Sequence, residues 1–151
     1  MTAPSVRYDL EVRARRTPRF AIGFAVFLIA VFVVVGLLLR RADTGVYFQT
    51  SDQVAMILLG FLLAGAVLLL TRPRLRVNAS GALVRNVLTE KLVEWDLIEG
   101  LSFPDGASWA RIELPDDEFI AVMAISANDR GRAVDAVQRF RELHEKYAPT
   151  R

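Results

Sequence analysis

The sequence predicts a membrane α-helical hairpin followed by an α+β domain, in which about six antiparallel strands form a small barrel or bent sheet capped by one C-terminal helix. Three observations predict it: two long uncharged apolar runs in the first half of the chain, a switch to period-two alternation after Arg72, and a switch to helical spacing after Ser126. Of the 151 residues, 53% are hydrophobic and the mean hydropathy is +0.31, an excess that lies before Arg72. The boundaries follow from these switches. Residues 1–19 form a basic N-terminal segment, 20–71 the hairpin with spans at 20–39 and 54–71, 72–148 the globular domain and 149–151 a tail.

Phe20 to Leu39, FAIGFAVFLIAVFVVVGLLL, carries no charge and at 1.5 Å per residue covers a hydrocarbon core of roughly 30 Å. Val54 to Leu70, VAMILLGFLLAGAVLLL, is shorter but within the lower limit for a span, and Thr71 extends it. The first run is too long for the apolar part of a signal peptide, and no small-x-small cleavage pattern follows before Arg40. Cationic flanks resist translocation, so Lys and Arg set the orientation. Arg7, Arg13, Arg15, Arg16 and Arg19 precede the first span, Arg72, Arg74 and Arg76 follow the second, and the loop between them offers only Arg40 and Arg41. Both termini are therefore expected in the cytoplasm. Arg40 and Arg41 vote the other way but abut a helix end, from which long side chains snorkel to the headgroups. Tyr47 and Phe48 are interface candidates. Neither run carries a mid-depth charge or histidine. Their small residues Gly36, Gly60, Ala64 and Gly65 are helix-packing candidates, either between the two spans or against a partner's helices.

Beyond Arg72, Leu75 and Val77 alternate with Arg74 and Arg76, and Leu83, Val84, Val87 and Leu88 continue past a turn at Gly81. Leu92, Val93 and Trp95 follow a break, and Leu97 to Phe103 is a further strand ended by Pro104-Asp105-Gly106. Trp109–Leu114 and Glu118–Ile125 flank Pro115-Asp116-Asp117 as a hairpin. Alternation assigns both Trp95 and Trp109 to the core. Ser126 and Asn128 are N-cap types, and Val134, Val137, Phe140, Leu143 and Tyr147 recur at helical spacing up to Pro149. Arg132, Asp135, Arg139, Glu142 and Glu145 make the wet face opposite.

With Leu92-Val93-Glu94-Trp95-Asp96-Leu97-Ile98-Glu99-Gly100-Leu101 and then Ala107-Ser108-Trp109-Ala110-Arg111-Ile112-Glu113-Leu114, the globular half resembles the bacterial pleckstrin-homology-like (PH-like) domains of small actinobacterial membrane proteins. The matching elements are Asp96-Leu97-Ile98-Glu99-Gly100 and Ser108-Trp109-Ala110-Arg111, and the likeness covers roughly Arg72 to Tyr147. It implies a PH-like fold whose motifs are packing patterns and not a chemical signature. It also implies a role such as that of two-span accessory subunits of the actinobacterial respiratory supercomplex, which joins a cytochrome bc complex to the terminal oxidase.

The chain has no cysteine, which removes thiol chemistry, thiolate metal sites and lipoprotein-type anchoring. Net charge is +2 with the basic residues beside the apolar runs, which argues against nucleic acid. His144 lies among charges of the last helix and reads as a solvated position. Asp116-Asp117-Glu118 lacks the spaced ligands of a calcium loop. Asp96 and Glu99 could be drawn as an acid/base pair, but no nucleophile, oxyanion site or phosphate-cradling loop accompanies them. The sequence thus predicts a binding protein and not an enzyme, with no cofactor, metal or small-molecule substrate. Its expected partners are the lipid bilayer and a larger membrane protein complex. Arg72, Arg74, Arg76 and Arg85 are candidate headgroup contacts, each contributing about 1 kcal/mol near an anionic leaflet. They serve first as a topology signal, second as a headgroup-facing strand edge. The sequon Asn78-Ala79-Ser80 has no role in the cytoplasm.

Overall fold

The computed structural model describes residues 7–39, 41, 47 and 49–148. The expectations for Arg40, Phe48 and residues 149–151 fall outside them. The chain forms two compact units: residues 18–71, and a second unit that joins residues up to Thr17 with those from Arg72 onward.

The first unit is a pair of helices, α1 (Arg16–Leu39) and α2 (Thr50–Leu68), the latter running on through a 3-10 turn at Leu69–Thr71. Pro18 is tolerated because it falls in the first turn of α1, where backbone N–H groups have no intrahelical acceptor. At the start of α2 the Gln49 N–H donates to the Asp52 carboxylate at 2.9 Å, which satisfies an orphan donor and sets negative charge against the helix dipole. Both helices are long and apolar enough to cross a membrane. A Cβ at Gly60 would lie 2.5 Å from the Phe32 Cβ, and one at Gly36 would lie 3.2 Å from the Ile57 Cγ1, so these two glycines permit the close approach of α1 and α2. Ala64 is also buried within this unit. A Cβ at Gly65 would meet nothing within 4 Å.

Among the described residues the second unit contains seven strands. Its first sheet has the order β1 (Leu10–Val12), β2 (Arg74–Asn78), β3 (Gly81–Arg85), β4 (Glu90–Val93), and its second the order β5 (Gly100–Ser102), β6 (Trp109–Glu113), β7 (Phe119–Ser126), all antiparallel. One more strand is present than the sequence predicts, and it comes from the N-terminal segment. Leu10, Glu11 and Val12 pair with Val77, Arg76 and Leu75, so the whole helical hairpin is inserted between two neighbouring strands of one sheet. The β2–β3 turn needs Gly81, whose φ is +146° and whose Cβ would collide with the Val93 carbonyl oxygen. Asp116 and Asp117, at φ 62° and 58°, make the tight β6–β7 turn in which Glu118 N–H donates to the Pro115 oxygen at 3.4 Å. Asn86 links the two sheets by mimicking a strand: its Nδ2 donates to the Ala121 oxygen at 2.8 Å and its Oδ1 accepts from Met123 N–H at 3.2 Å.

Inward-facing Leu75, Val77 and Val84 of the first sheet and Ile112, Val122 and Ile125 of the second share one core with Phe140 of α3 (Gly131–Tyr147), which packs against β1, β5 and β7. Four local expectations change. Trp95–Leu97 is a 3-10 turn, so the strand expected from Leu97 begins at Gly100. The register jumps between Trp109 and Ala110, and Trp109 is 41% exposed where alternation assigns it to the core. Ser126 caps a 3-10 turn at Ala127–Asp129, accepting from Asn128 N–H at 3.3 Å, and α3 itself starts after Arg130. Val134 lies six residues before Phe140 and so about 120° round the helix from it, whereas Ala133 and Ala136 fall on its side: these three are buried and Val134 is 65% exposed, outside the stripe predicted for it.

Candidate functional site

Arg74 and Arg76 project from the outer face of β2 because Leu75 and Val77 occupy the inner one, and the register sets Arg85 opposite Arg74. With Leu83 and Glu90 these three arginines line a depression of only about 10 Å³. Partial burial, with the cations Arg13 and Arg76, pulls the Arg74 guanidinium below its ordinary value. Arg76 lies 3.7 Å from the Glu11 carboxylate and 5.1 Å from the centre of the Tyr8 ring. Its Nε is shielded from solvent with no hydrogen bond, so the Glu11 contact is electrostatic at a distance too long for one. Arg85 pairs with Glu90, also at 3.7 Å. Arg72 is exposed in the link before β2 and does not line the depression. The structure thus brings three of the four candidate headgroup residues together, two of them already opposite carboxylates.

His144 is half-buried where the sequence predicts a solvated position. Its Nε2 lies 2.9 Å from the Ile98 oxygen and its ring 5.8 Å from that of Trp95. The Trp95 indole N–H donates to the Asn78 oxygen at 2.9 Å. His144 therefore helps seat α3 on the turn before β5. Among the described residues, no three His, Asp or Glu side chains converge as a metal-ligand set.

A different surface has the form of a binding site. Phe103, just past β5, and Val134 and Val137 of α3 line an open, mainly apolar groove of about 650 Å³. Arg130 and Arg141 also line it, and neither forms an ion pair among the described residues. Arg130 adopts φ 45°, ψ −115°, a conformation that costs a non-glycine residue about 1–3 kcal/mol and that clusters at functional positions. Sequence reading misses this groove because it treats Val134 as core and joins Phe103 to α3 only through the tertiary fold. The signal available in the sequence was the apolar run from Ala133 to Val137 interrupted only by Asp135, broader than one buried stripe requires.

Residues 72–143 match the family model described as the bacterial PH domain. Over 150 residues the chain is 53% identical to an uncharacterized protein of Mycobacterium bovis and, equally, to uncharacterized proteins of Mycobacterium tuberculosis strains CDC 1551 and H37Rv; each alignment spans 99% of this chain and 97% of the relative. The chain belongs to their family. Two antiparallel sheets and a C-terminal helix are the architecture expected of its PH domain. That domain reaches beyond the matched residues at both ends, to β1 through pairing with β2 and to Tyr147, whose hydroxyl donates to the Asp9 carboxylate at 2.9 Å. No solved structure matches the chain.

Proposed function

We propose that the protein is a non-catalytic, membrane-anchored binding module of a bacterial inner membrane. It has two spans and cytoplasmic termini, and it serves as a scaffold or accessory subunit of a larger membrane complex. The observation that supports this best is the pairing of Leu10–Val12 with Leu75–Val77 across the inserted hairpin. Strands of one sheet fold on one side of a bilayer, so a membrane-crossing hairpin between them must leave and return, and cleavage after the first run would remove β1. The outward surfaces of α1 and α2 support insertion. Large apolar side chains such as Phe20, 76% exposed, and Leu62 need an apolar medium around them.

The PH domain then holds its partner in the groove of Phe103, Val134 and Val137. An apolar anchor flanked by acidic residues fits, since the two rim guanidiniums, Arg130 and Arg141, have no carboxylate of their own among the described residues. A photo-crosslinking residue at Val134 should capture, in living cells, a subunit of a membrane complex, with the cytochrome bc and oxidase subunits of the respiratory supercomplex the first to look for. Val134→Asp should abolish both capture and co-purification in mild detergent. Because Val134 is exposed, that change should shift unfolding by no more than about 0.5 kcal/mol. A protein that elutes alone and yields no crosslink from the groove would sink the reading.

A further inference from the structure

A second groove of about 740 Å³ lies between β1 and the opposite flank of α3, and it is charged instead of apolar. It is lined by Arg13 and Arg15 from the β1 side and by Arg132, Asp135 and Arg139 from the helix. Spacings of three, four and seven residues put the three helix side chains on one face of α3. The β1 side is tied to the 3-10 turn just before this helix, because the backbone N–H groups of Arg15 and Arg16 donate to the two carboxylate oxygens of Asp129 at 3.1 and 3.2 Å. Asp129 is thus committed to the backbone. Glu11, which lines the groove along with Asp135, is committed as well, bound by Arg13 at 2.7 Å and faced by Arg76 at 3.7 Å. Arg15, Arg132 and Arg139 form no ion pair among the described residues. Three guanidinium-bearing side chains therefore line one groove with only Asp135 left to offset them, an arrangement that attracts an anion rich in acceptor oxygens.

We infer that this groove binds a phosphate group, carried either by an anionic phospholipid or by a soluble phosphorylated molecule. The lipid source rests on the membrane-anchored reading: Arg15 is five residues of chain from Phe20, where the uncharged run begins. The phosphate chemistry does not depend on it. Arg132 and Arg139, with Arg15, are the phosphate-binding residues. Asp135 weakens binding and sets the groove against more highly charged ligands.

The test uses the full chain in neutral detergent, titrated calorimetrically with dihexanoyl phosphatidic acid and, separately, with glycerol 3-phosphate. Arg132→Gln/Arg139→Gln should weaken binding about thirtyfold, roughly fivefold for each lost cation. Asp135→Asn should tighten it about fivefold, a gain that a purely structural role for this face would not produce. Lys91→Gln/Arg111→Gln, which removes the same charge from β4 and β6, outside this groove, should leave it unchanged. Phosphatidic acid binding at least tenfold tighter than glycerol 3-phosphate assigns the site to a lipid headgroup. Equal affinities assign it to phosphate alone and leave the membrane reading untouched. Binding of neither probe, or equal losses in the two double variants, would overturn the proposal. Cooperative thermal unfolding of each variant checks that it is folded.

Discussion

Trp95 carries more of the domain's organisation than its place in a three-residue turn suggests. Its indole N–H satisfies the Asn78 oxygen at 2.9 Å, while its ring lies 5.6 Å from Phe140, 5.8 Å from His144 and 6.0 Å from Tyr147. One side chain thereby ties the β2–β3 turn to the C-terminal half of α3. Trp95→Phe removes the donor and leaves the carbonyl without it, which costs about 1–3 kcal/mol. Trp109→Phe, at a position 41% exposed, should change stability by no more than about 0.5 kcal/mol. Urea unfolding of the two variants in the same detergent should separate them by at least about 1 kcal/mol, and equal midpoints would contradict the roles given to the two rings.

Among the elements, β1 depends most on electrostatics, since a three-residue edge strand buries little apolar surface. Glu11 supplies the cross-strand charge. The hydrogen bond from Arg13, with the nearby Arg13 and Arg76 charges, holds its carboxyl below the ordinary value of 4.5. Ser102 and then Arg111 do the same for Glu113 in the second sheet. A carboxyl whose pKa is lower in the folded state binds fewer protons there than when unfolded, so its stabilisation is complete above about pH 4.5 and disappears as pH falls through the lowered pKa. Thermal midpoints should therefore drop on acidification below pH 4.5, and Glu11→Gln should flatten that drop. An unchanged pH profile in the variant would remove Glu11 from the account. The same strand marks what the sequence could and could not say. The two apolar runs, strands β2 to β4, β6 and β7 and the last helix are legible because their periodicity is local. Leu10-Glu11-Val12 is too short to carry a period, and its partner Val77 is 67 residues from Leu10. The register jump at Trp109 reverses the facing of that ring in a way composition does not record, whereas the exposure of Val134 follows from its separation of six residues from Phe140 and was legible in the spacing. Of the candidate sites, the cluster of Arg74, Arg76 and Arg85 was legible from alternation. Both grooves were not, since each joins a strand end to a helix laid across it.

At the scale of the whole molecule, inserting the hairpin between paired strands makes it a consequence of folding that the two flanks share a side, and leaves to charge which side that is. Arginine counting alone leaves the Arg41 side of the hairpin in tension with the flanks, because that loop also carries cations. Strand pairing fixes only that the flanks go together: residues 10–12 and 75–77 belong to one sheet, so segments before α1 and after α2 share a side whichever way the charges vote. The chain contains no cysteine, and single cysteines therefore report without interference. Placed at Arg7 and at Ser80, they should both resist a membrane-impermeant thiol reagent in intact cells and label only after permeabilisation, whereas a cysteine at Tyr47 should label at once. Labelling at Arg7 and Ser80 with protection at Tyr47 would invert the orientation while keeping the two-span anchor. Different behaviour at Arg7 and Ser80 would be incompatible with the β1–β2 pairing itself, and with it the continuous first sheet of the domain.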